Sequence, residues 1–205
     1  MSTIMSTMDA FVIANKFTTK WEAGFVNHPN DPGGATKDGV SLRWLKGLGE
    51  EGDIDHDGDI DISDIRALTA ETVEYFFRTK FWNEYVLAQL PFLTSIAAYD
   101  TFINCGPSQS TKFIQRIANT QAKKADEKLE VDGKLGPLTR MRVSQLCKAQ
   151  SDMDFDFAQR IVAQRWSFHD ELGTRDQFRP FRDGWFNRDM ALSTYLRELR
   201  RGGRL

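Results

Sequence analysis

Three side chains suited to hydrolysing a glycosidic bond occur within one segment, KWEAGFVNHPNDPGGATKDGVS. Glu22 stands where a first helix is predicted to end, Asp31 follows in a turn rich in proline and glycine, and Thr36 falls in a short hairpin. Glycosidases combine a protonated carboxyl group, which donates to the leaving oxygen, with a second group that assists water or stabilises the transition state. Trp21 and Phe25 flank Glu22 and supply apolar surroundings that favour a protonated carboxyl group. Spacing alone is also compatible with an ordinary carboxylate at a helix end.

A second group of acidic residues has the spacing of an EF-hand calcium loop. Carboxylates two residues apart in such a turning loop converge on one hard cation, and a glycine at position 6 permits the sharp turn. Ile60, at position 8, can anchor the loop against the core. The residues at loop positions 1, 3, 5, 7, 9 and 12, with the glycine at position 6, are Asp53, Asp55, Asp57, Asp59, Asp61, Asp64 and Gly58.

The final ligand position of this loop departs from the usual pattern. Asp64 stands where a bidentate glutamate is common, a feature similar to dockerin calcium loops, and its shorter side chain favours weaker binding or better tolerance of magnesium. Position 7 usually binds through its backbone carbonyl and position 9 through water, so Asp59 and Asp61 contribute less directly. Because calcium sensors pair such loops and this chain has one, we expect a single structural calcium ion. The alternative is a solvated acidic turn.

Composition describes a globular chain with an uneven distribution of charge. The 205 residues are 40% hydrophobic and 27% charged, and no apolar run approaches the roughly 18 residues of a membrane span. Eight acidic residues between 50 and 64 account for more than the net charge of −2, which leaves +6 on the rest of the chain. That basic remainder, visible near the end at Arg188, Arg197, Arg200, Arg201 and Arg204, suits an anionic polymer or is simply a solvated face.

Other kinds of site find little support in the sequence. Cys105 and Cys147 lack the spacing of a zinc or redox motif, so both are interpreted as small buried hydrophobic residues rather than a disulfide. The three histidines, His28, His56 and His169, follow no metal-ligand or triad spacing and are taken as incidental. This argues against a zinc amidase or a serine peptidase. The first residues lack the basic region of a secretory signal.

Apolar periodicity predicts a mainly α protein with one small hairpin. The residues around Glu22 that are rich in proline, glycine, asparagine and aspartate favour turns and the hairpin over any long element. Helical spacing occurs over residues 7–21, 41–48, 70–85, 92–104, 109–120, 138–148, 155–168 and 190–200.

The segment that begins at Glu22 resembles a family signature. It reads E-A-G-F-V-N-H-P-N-D-P-G-G-A-T-K-D-G-V-S and resembles the E-G-G-Y-V-x-x-P-x-D-P-G-G-x-T-x-x-G-I-S motif of glycoside hydrolase family 108, muramidases common as phage endolysins. The departures Ala23, Phe25 and Val40 are conservative. The resemblance implies that Glu22 is the general acid. The order Glu, Asp, Thr is also similar to that in the lysozymes of tailed phages, which implies that Asp31 and Thr36 position water.

Three further stretches extend the resemblance. Residues 99–106, YDTFINCG, resemble the family's F-D-x-A-V-N-x-G helix, which implies that Asp100 and Asn104 bind the glycan, although Phe102 replaces a small alanine. Residues 184–188 resemble a G-W-x-x-R ending, in which Trp185 either stacks on a sugar or belongs to the core. Residues 131–139, VDGKLGPLT, resemble a signature of the peptidoglycan-binding region fused to this family, or form a Gly-Pro turn before a helix.

These resemblances imply a two-lobed, lysozyme-like α+β fold. We expect a catalytic lobe at 1–95, with the loop at 53–64, and a helical lobe at 96–205 that resembles a peptidoglycan-binding region, packed as one globular unit. The glycan cleft would lie between the hairpin side and the helix that holds Asn104.

The implied reaction is hydrolysis of the β-1,4 bond between N-acetylmuramic acid and N-acetylglucosamine in peptidoglycan. A lytic transglycosylase and a calcium-dependent, non-catalytic wall-binding module are the alternatives. We expect a monomer without nucleic-acid partners or stable membrane insertion. It would be made in a host cytoplasm and reach the cell wall with the help of a separate, holin-type membrane-permeabilising protein.

Overall fold

The computed structural model describes residues 9–22, 24–27, 34–149 and 152–202, and over these residues it confirms a mainly α protein with one small antiparallel sheet. None of the helices in this part of the chain combines the length and apolar character of a membrane span. In chain order the elements are α1 (Ala10–Thr18), β1 (Phe25–Val26), β2 (Thr36–Lys37), β3 (Val40–Ser41), α2 (Leu42–Lys46), α3 (Ile62–Ala67), α4 (Ala70–Phe76), α5 (Phe92–Cys105), α6 (Pro107–Asn119), α7 (Pro137–Lys148), α8 (Met153–Gly173) and α9 (Arg182–Arg201).

The sequence predicts most of these helices but misses α3 and one irregular turn. The helix expected over 70–85 ends as α4 at Phe76 and continues as a π-helix over Phe77–Asn83. α3 begins inside the acidic segment, where Asp61 caps it by accepting a hydrogen bond from Ser63 N at 2.6 Å. The sequence does not predict α3 because its first residues, Ile62 to Asp64, also belong to the acidic loop pattern, which leaves too few residues to show helical periodicity.

The chain forms two compact units, residues 1–17 with 80–205 and residues 18–79, and the division into lobes at 1–95 and 96–205 stays a prediction. In the larger unit, which we call the helical unit, α1 packs against the other helices. Phe11 makes edge-to-face contacts with Trp82 and Tyr99 at ring-centroid distances of 5.8 and 5.7 Å. The Tyr99 hydroxyl donates to Asn15 Oδ1 at 2.8 Å. These contacts make α1 part of the core around α5.

The far end of the chain completes the same core. Tyr195, on α9, stacks on Phe17 at 5.2 Å, and its hydroxyl donates to the Ile13 carbonyl at 3.0 Å. Leu192 and Leu196 on the same helix have no exposed surface. The first and last described helices therefore depend on each other for burial of their apolar faces.

A buried charge network joins α5, α8 and α9 at the centre of the helical unit. Arg165, which has no exposed surface, donates through Nη1 to Asp100 Oδ2 at 2.6 Å and through Nε to Asp189 Oδ1 at 2.5 Å. Arg188 donates to the other oxygen of Asp100 at 2.7 Å. Burial alone would raise the pKa of Asp100, but the charges of Arg188 and Arg165 outweigh it and hold that pKa well below its usual range.

The network extends to His169, which belongs to no motif in the sequence. His169 is 2% exposed and lies 2.8 Å, through Nδ1, from Asp189 Oδ2, while its Nε2 lies 3.5 Å from Cys105 Sγ. Cys105 and Cys147 are unpaired and half-buried. Burial raises the pKa of both thiols to about 12. His169 is thus a structural residue that spacing along the sequence did not reveal.

We predict that Asp100→Asn lowers the free energy of unfolding by about 3–5 kcal/mol at neutral pH, because it leaves two buried guanidinium groups without their shared carboxylate. The native pKa of Asp100 is depressed, so its stabilisation is present above the unfolded pKa of about 3.9 and is lost as the pH falls below it. Urea unfolding at several pH values measures both effects.

The matched control is Asp156→Asn, which removes a surface pair with Arg160 on α8 and should change the unfolding free energy by about 0.5 kcal/mol or less. An Asp100→Asn protein as stable as the parent at neutral pH would contradict the structural role given to the network.

Candidate active site

Glu22 lies just after the end of α1, as the sequence predicts. The helix ends at Thr18, whose carbonyl accepts from Trp21 N at 3.0 Å and from Glu22 N at 3.3 Å. These bonds close a final turn and leave Glu22 half-buried at the start of a non-helical segment. The side chain thus projects from a backbone position that the helix end fixes.

A two-residue hairpin turn holds the chain that follows Glu22. β2 and β3 pair with Lys37 opposite Val40, so Asp38 and Gly39 form the turn, and their φ angles of 50° and 84° match a type I′ geometry. Asp38 Oδ1 accepts from Gly24 N at 2.8 Å, and Asp38 N donates to the Gly24 carbonyl at 3.0 Å. These two hydrogen bonds therefore fix the turn to the backbone of Gly24, two residues beyond Glu22.

Gly39 also lies against the stem of Glu22. A Cβ atom placed on Gly39 would lie 3.0 Å from both Glu22 Cγ and Phe77 Cζ, so the glutamate stem and the ring edge converge on the same point of the turn. Phe77 is 1% exposed, whereas Trp21 and Phe25 are 38% and 45% exposed. The buried aromatic ring at this point is therefore Phe77, from a distant part of the sequence, and not either of the two neighbours that the sequence analysis proposed.

The structure describes one of the other two predicted catalytic residues. Thr36 lies on β2, half-buried, opposite Val26 and Ser41, and its hydroxyl donates to the Gly34 carbonyl at 3.4 Å. The sheet thus places Thr36 one strand away from the segment that follows Glu22. Asp31 lies outside the described residues.

The same strand is tied to the helix that follows the acidic loop. Lys37, next to Thr36, donates through Nζ to the carbonyl oxygens of Arg66 at 2.9 Å and Leu68 at 2.6 Å. These carbonyls belong to the C-terminal end of α3, where a cation is favoured by the helix dipole. Lys37 therefore connects the hairpin to the end of the loop-plus-helix unit.

The carboxylates of the acidic loop lie in two convergent groups, whereas its spacing predicts one set around a single cation. Oxygen atoms of Asp53, Asp55 and Asp57 lie within 4.8 Å of one another, and the same holds for Asp59, Asp61 and Asp64. Gly58 has a φ of 98°, which glycine adopts without strain, and its N–H donates to Asp53 Oδ2 at 3.1 Å. This set of hard oxygen donors fits a divalent cation.

Within the loop, charge repulsion raises the pKa of some aspartates and hydrogen bonding lowers that of another. The neighbouring charge of Asp57 raises the pKa of Asp59, and burial together with Asp57 raises that of Asp55. Asp64 has no exposed surface and accepts from the N–H groups of Ile54 at 2.6 Å and Asp61 at 2.7 Å. Burial would raise the pKa of Asp64, but these backbone hydrogen bonds lower it overall. Asp64 therefore closes the loop internally, which the ligand pattern alone did not indicate.

The three residues expected to bind glycan occupy distinct environments in the helical unit. Asp100 has no exposed surface and is held by Arg165 and Arg188, and glycan contact by Asp100 stays a prediction. Asn104 is half-buried near the end of α5. Trp185 is half-buried and stacks on His169 at 4.9 Å. Glycan contact by Asn104 and Trp185 stays a prediction.

The segment 131–139 forms a turn that leads into α7. Gln115, 2% exposed on α6, donates to Asp132 Oδ1 at 2.7 Å and accepts from Gly133 N at 3.0 Å. Pro137 then begins the helix, a position that suits proline. These contacts account for the conformation of the segment, and a role in wall binding stays a prediction.

Comparison with known proteins agrees with the chemistry inferred for the segment around Glu22. Residues 15–106 match the family model Glycosyl hydrolase 108, a range that includes Glu22, the hairpin, the acidic loop and Asn104. The chain is also similar to a solved structure described as Brucella abortus SagA, with a TM-score of 0.70 and 25% identity over 91% of this chain and 92% of that one. No curated protein matches the sequence.

The reciprocal pairing of Asp38 with Gly24 makes Asp38 a positioning residue for Glu22. We predict that Asp38→Ala lowers the turnover rate about 10- to 100-fold with little change in KM, because a displaced acid loses its alignment with the scissile bond. Asp38→Asn keeps an Oδ1 acceptor for Gly24 N and should retain most activity. Steady-state hydrolysis of a soluble glycan by the two variants is the measurement, and equal rates for both would contradict this role.

Proposed function

We propose that this glycoside hydrolase, whose residues 15–106 match the glycosyl hydrolase 108 model, is of the lysozyme-like, peptidoglycan-hydrolysing type and acts as an N-acetylmuramidase. The bond we assign to it is the β-1,4 linkage between N-acetylmuramic acid and N-acetylglucosamine. The observation that carries this assignment is the placement of Glu22, which is fixed by the end of α1 on one side and by the Asp38-Gly39 turn on the other.

In the proposed mechanism, Glu22 is the general acid. Its carboxyl group donates a proton to the glycosidic oxygen as the bond to the anomeric carbon breaks. The buried ring of Phe77 and the backbone of the turn lie against the stem of Glu22 and hold the side chain in place for this transfer. The leaving sugar then departs as a neutral alcohol.

Water completes the reaction in this proposal. Asp31 accepts a proton from the water that attacks the anomeric carbon, and Thr36 orients that water through its hydroxyl group. Thr36 is suited to the task because the sheet pairing fixes its backbone and its side chain is half-buried. A carboxyl separation of about 6.5–9.5 Å between the two acids would give inversion, and one near 5 Å would give retention.

We further propose that the acidic loop binds one structural calcium ion. Asp53, Asp55 and Asp57 supply convergent carboxylates, and relief of the repulsion among them favours a bound cation. The ion would stabilise the loop that leads into α3, whose end is bonded to Lys37 on the hairpin. The calcium ion takes no part in the chemistry at the glycosidic bond.

The cellular role we propose is that of a phage-type endolysin acting as a monomer. It would be made in the host cytoplasm and reach the wall after a holin-type protein permeabilises the membrane. The C-terminal region would hold the enzyme on peptidoglycan.

The main test is the product released from purified peptidoglycan. We expect Glu22→Gln to lower the rate by at least about 100-fold, because the amide cannot donate the required proton. Mass spectrometry before and after borohydride reduction identifies the ends, and the wild type should release reducing muramic acid ends. Glu74→Gln, an exposed glutamate on α4 in the same unit, is the matched control and should retain full activity.

Other products would support other functions. Anhydromuramic ends would identify a lytic transglycosylase, and binding to insoluble peptidoglycan without any release would identify a non-catalytic wall-binding module. Full activity in Asp31→Asn would remove Asp31 from the mechanism.

Calcium binding is tested by thermal unfolding in excess calcium and in chelator. Calcium at about 100 times its Kd should stabilise the fold by about 2.7 kcal/mol and raise Tm by several degrees. Asp55→Asn should abolish this difference, whereas Asp176→Asn, at a fully exposed aspartate in the other unit, should leave it intact. Equal Tm values for the wild type in calcium and in chelator would contradict the calcium proposal.

A further inference from the structure

A groove between α8 and α9, here called the α8–α9 groove, combines an aromatic ring, hydroxyl groups and a cation. Its volume is about 520 Å³, and the side chains relevant to binding are Gln159, Trp166, Ser167, Ser193, Thr194 and Arg197. All of them belong to the helical unit, whereas Glu22 belongs to the other unit. The groove therefore offers a binding surface on a different part of the chain from the proposed catalytic acid.

Trp166 provides a fixed aromatic wall. Its ring stacks on Phe186 at a centroid distance of 4.2 Å and an interplanar angle of 12°, and Arg182 lies over Phe186 at 5.0 Å. Trp166 nevertheless stays 37% exposed and borders the groove. A partly exposed indole held by a neighbouring ring binds the C–H face of a sugar without a large loss of side-chain freedom.

The rest of the wall supplies ordered polar groups. Gln159 Nε2 donates to the Ser193 carbonyl at 3.0 Å, and Ser193 Oγ donates to Gln159 Oε1 at 2.7 Å, so the two helices are joined at this level. Thr194 is exposed beside this pair. Hydroxyl groups both donate and accept hydrogen bonds, which matches the hydroxyl and acetamido groups of an amino sugar.

Arg197 adds a positive charge that no described residue neutralises by an ion pair or hydrogen bond. It also borders a second recess of about 450 Å³, whose other members are Phe155, Arg200 and Arg201. Arg200 is committed to Asp152 at 2.9 Å and to the ring of Phe155 at 4.5 Å, which leaves Arg197 and Arg201 to face a ligand. This charge suits a glycan that carries carboxylates, as muramic acid and its peptide stem do.

We infer that the α8–α9 groove is a binding site for the glycan strand of peptidoglycan. The choice of polymer rests on the proposed function, whereas the chemistry of the groove calls for an anionic amino-sugar chain. Trp166 contacts the sugar face and Arg197 pairs with a carboxylate. The groove retains the enzyme on the polymer and takes no part in bond cleavage.

Co-sedimentation of the full chain with insoluble peptidoglycan tests this inference. All binding variants carry Glu22→Gln and are mixed briefly in the cold. We expect Trp166→Ala to raise the apparent Kd about tenfold and Trp166→Phe to restore most of the affinity. Arg197→Ala should weaken binding several-fold at low ionic strength, and this difference should vanish near about 0.5 M salt.

Matched controls separate these effects from general damage. Arg160→Ala removes an exposed arginine from the same helix outside the groove, and Met141→Ala removes an apolar side chain that is 51% exposed on α7. Both should bind as the parent does, and circular dichroism should show every variant folded. The same two control substitutions, made with Glu22 intact, should hydrolyse short soluble glycans at the parent rate.

Two results would overturn the inference. One is unchanged binding to peptidoglycan by folded Trp166→Ala and Arg197→Ala proteins. The other is loss of binding to anionic phosphatidylglycerol vesicles in these variants with full retention of peptidoglycan binding, which would identify a lipid-facing surface. The pelleted fraction measures the groove and muropeptide release measures Glu22, so the two proposals fail separately.

Discussion

The helical unit depends on the neutralisation of one fully buried cation. Arg165 has no exposed surface, so the carboxylates of Asp100 and Asp189 must reach it from α5 and α9 before the three helices can pack. Asp189 uses its second oxygen for His169 and also borders the α8–α9 groove. The charge of Arg165 therefore fixes how the three helices align. Because Asp189 is on α9, the same ion pair also fixes the position of α9 relative to α8, the two helices that carry Arg197 and Trp166.

In the smaller unit, an equivalent constraint is carried by hydrogen bonds between side chains and the backbone. The Asp38-Gly39 turn holds Gly24 on one side, and Lys37 holds the end of α3 on the other. The acidic loop, the short helix after it and the hairpin with Thr36 thus form one connected series. Occupancy of the loop by the proposed cation would act on the hairpin through Lys37.

Sequence reasoning succeeded where a pattern is local and failed where partners are distant. The helix end before Glu22, the Asp-Gly turn and the loop around Gly58 follow from residue types that fix backbone geometry. The pairing of Arg165 with Asp100 spans 65 positions and depends on how helices pack, which no spacing rule encodes. The same limit explains why Phe77 was missed beside Glu22.

The contact between Tyr195 and Ile13 has a consequence for how the chain assembles on the ribosome. These residues are 182 positions apart, so the apolar face of the first helix emerges long before its partner is translated. Residues 18–79 form their own compact unit and need no such delay. The nascent chain therefore carries Phe17 without its stacking partner Tyr195 until α9 leaves the exit tunnel, and a chain truncated before α9 would stay exposed to chaperones and proteases.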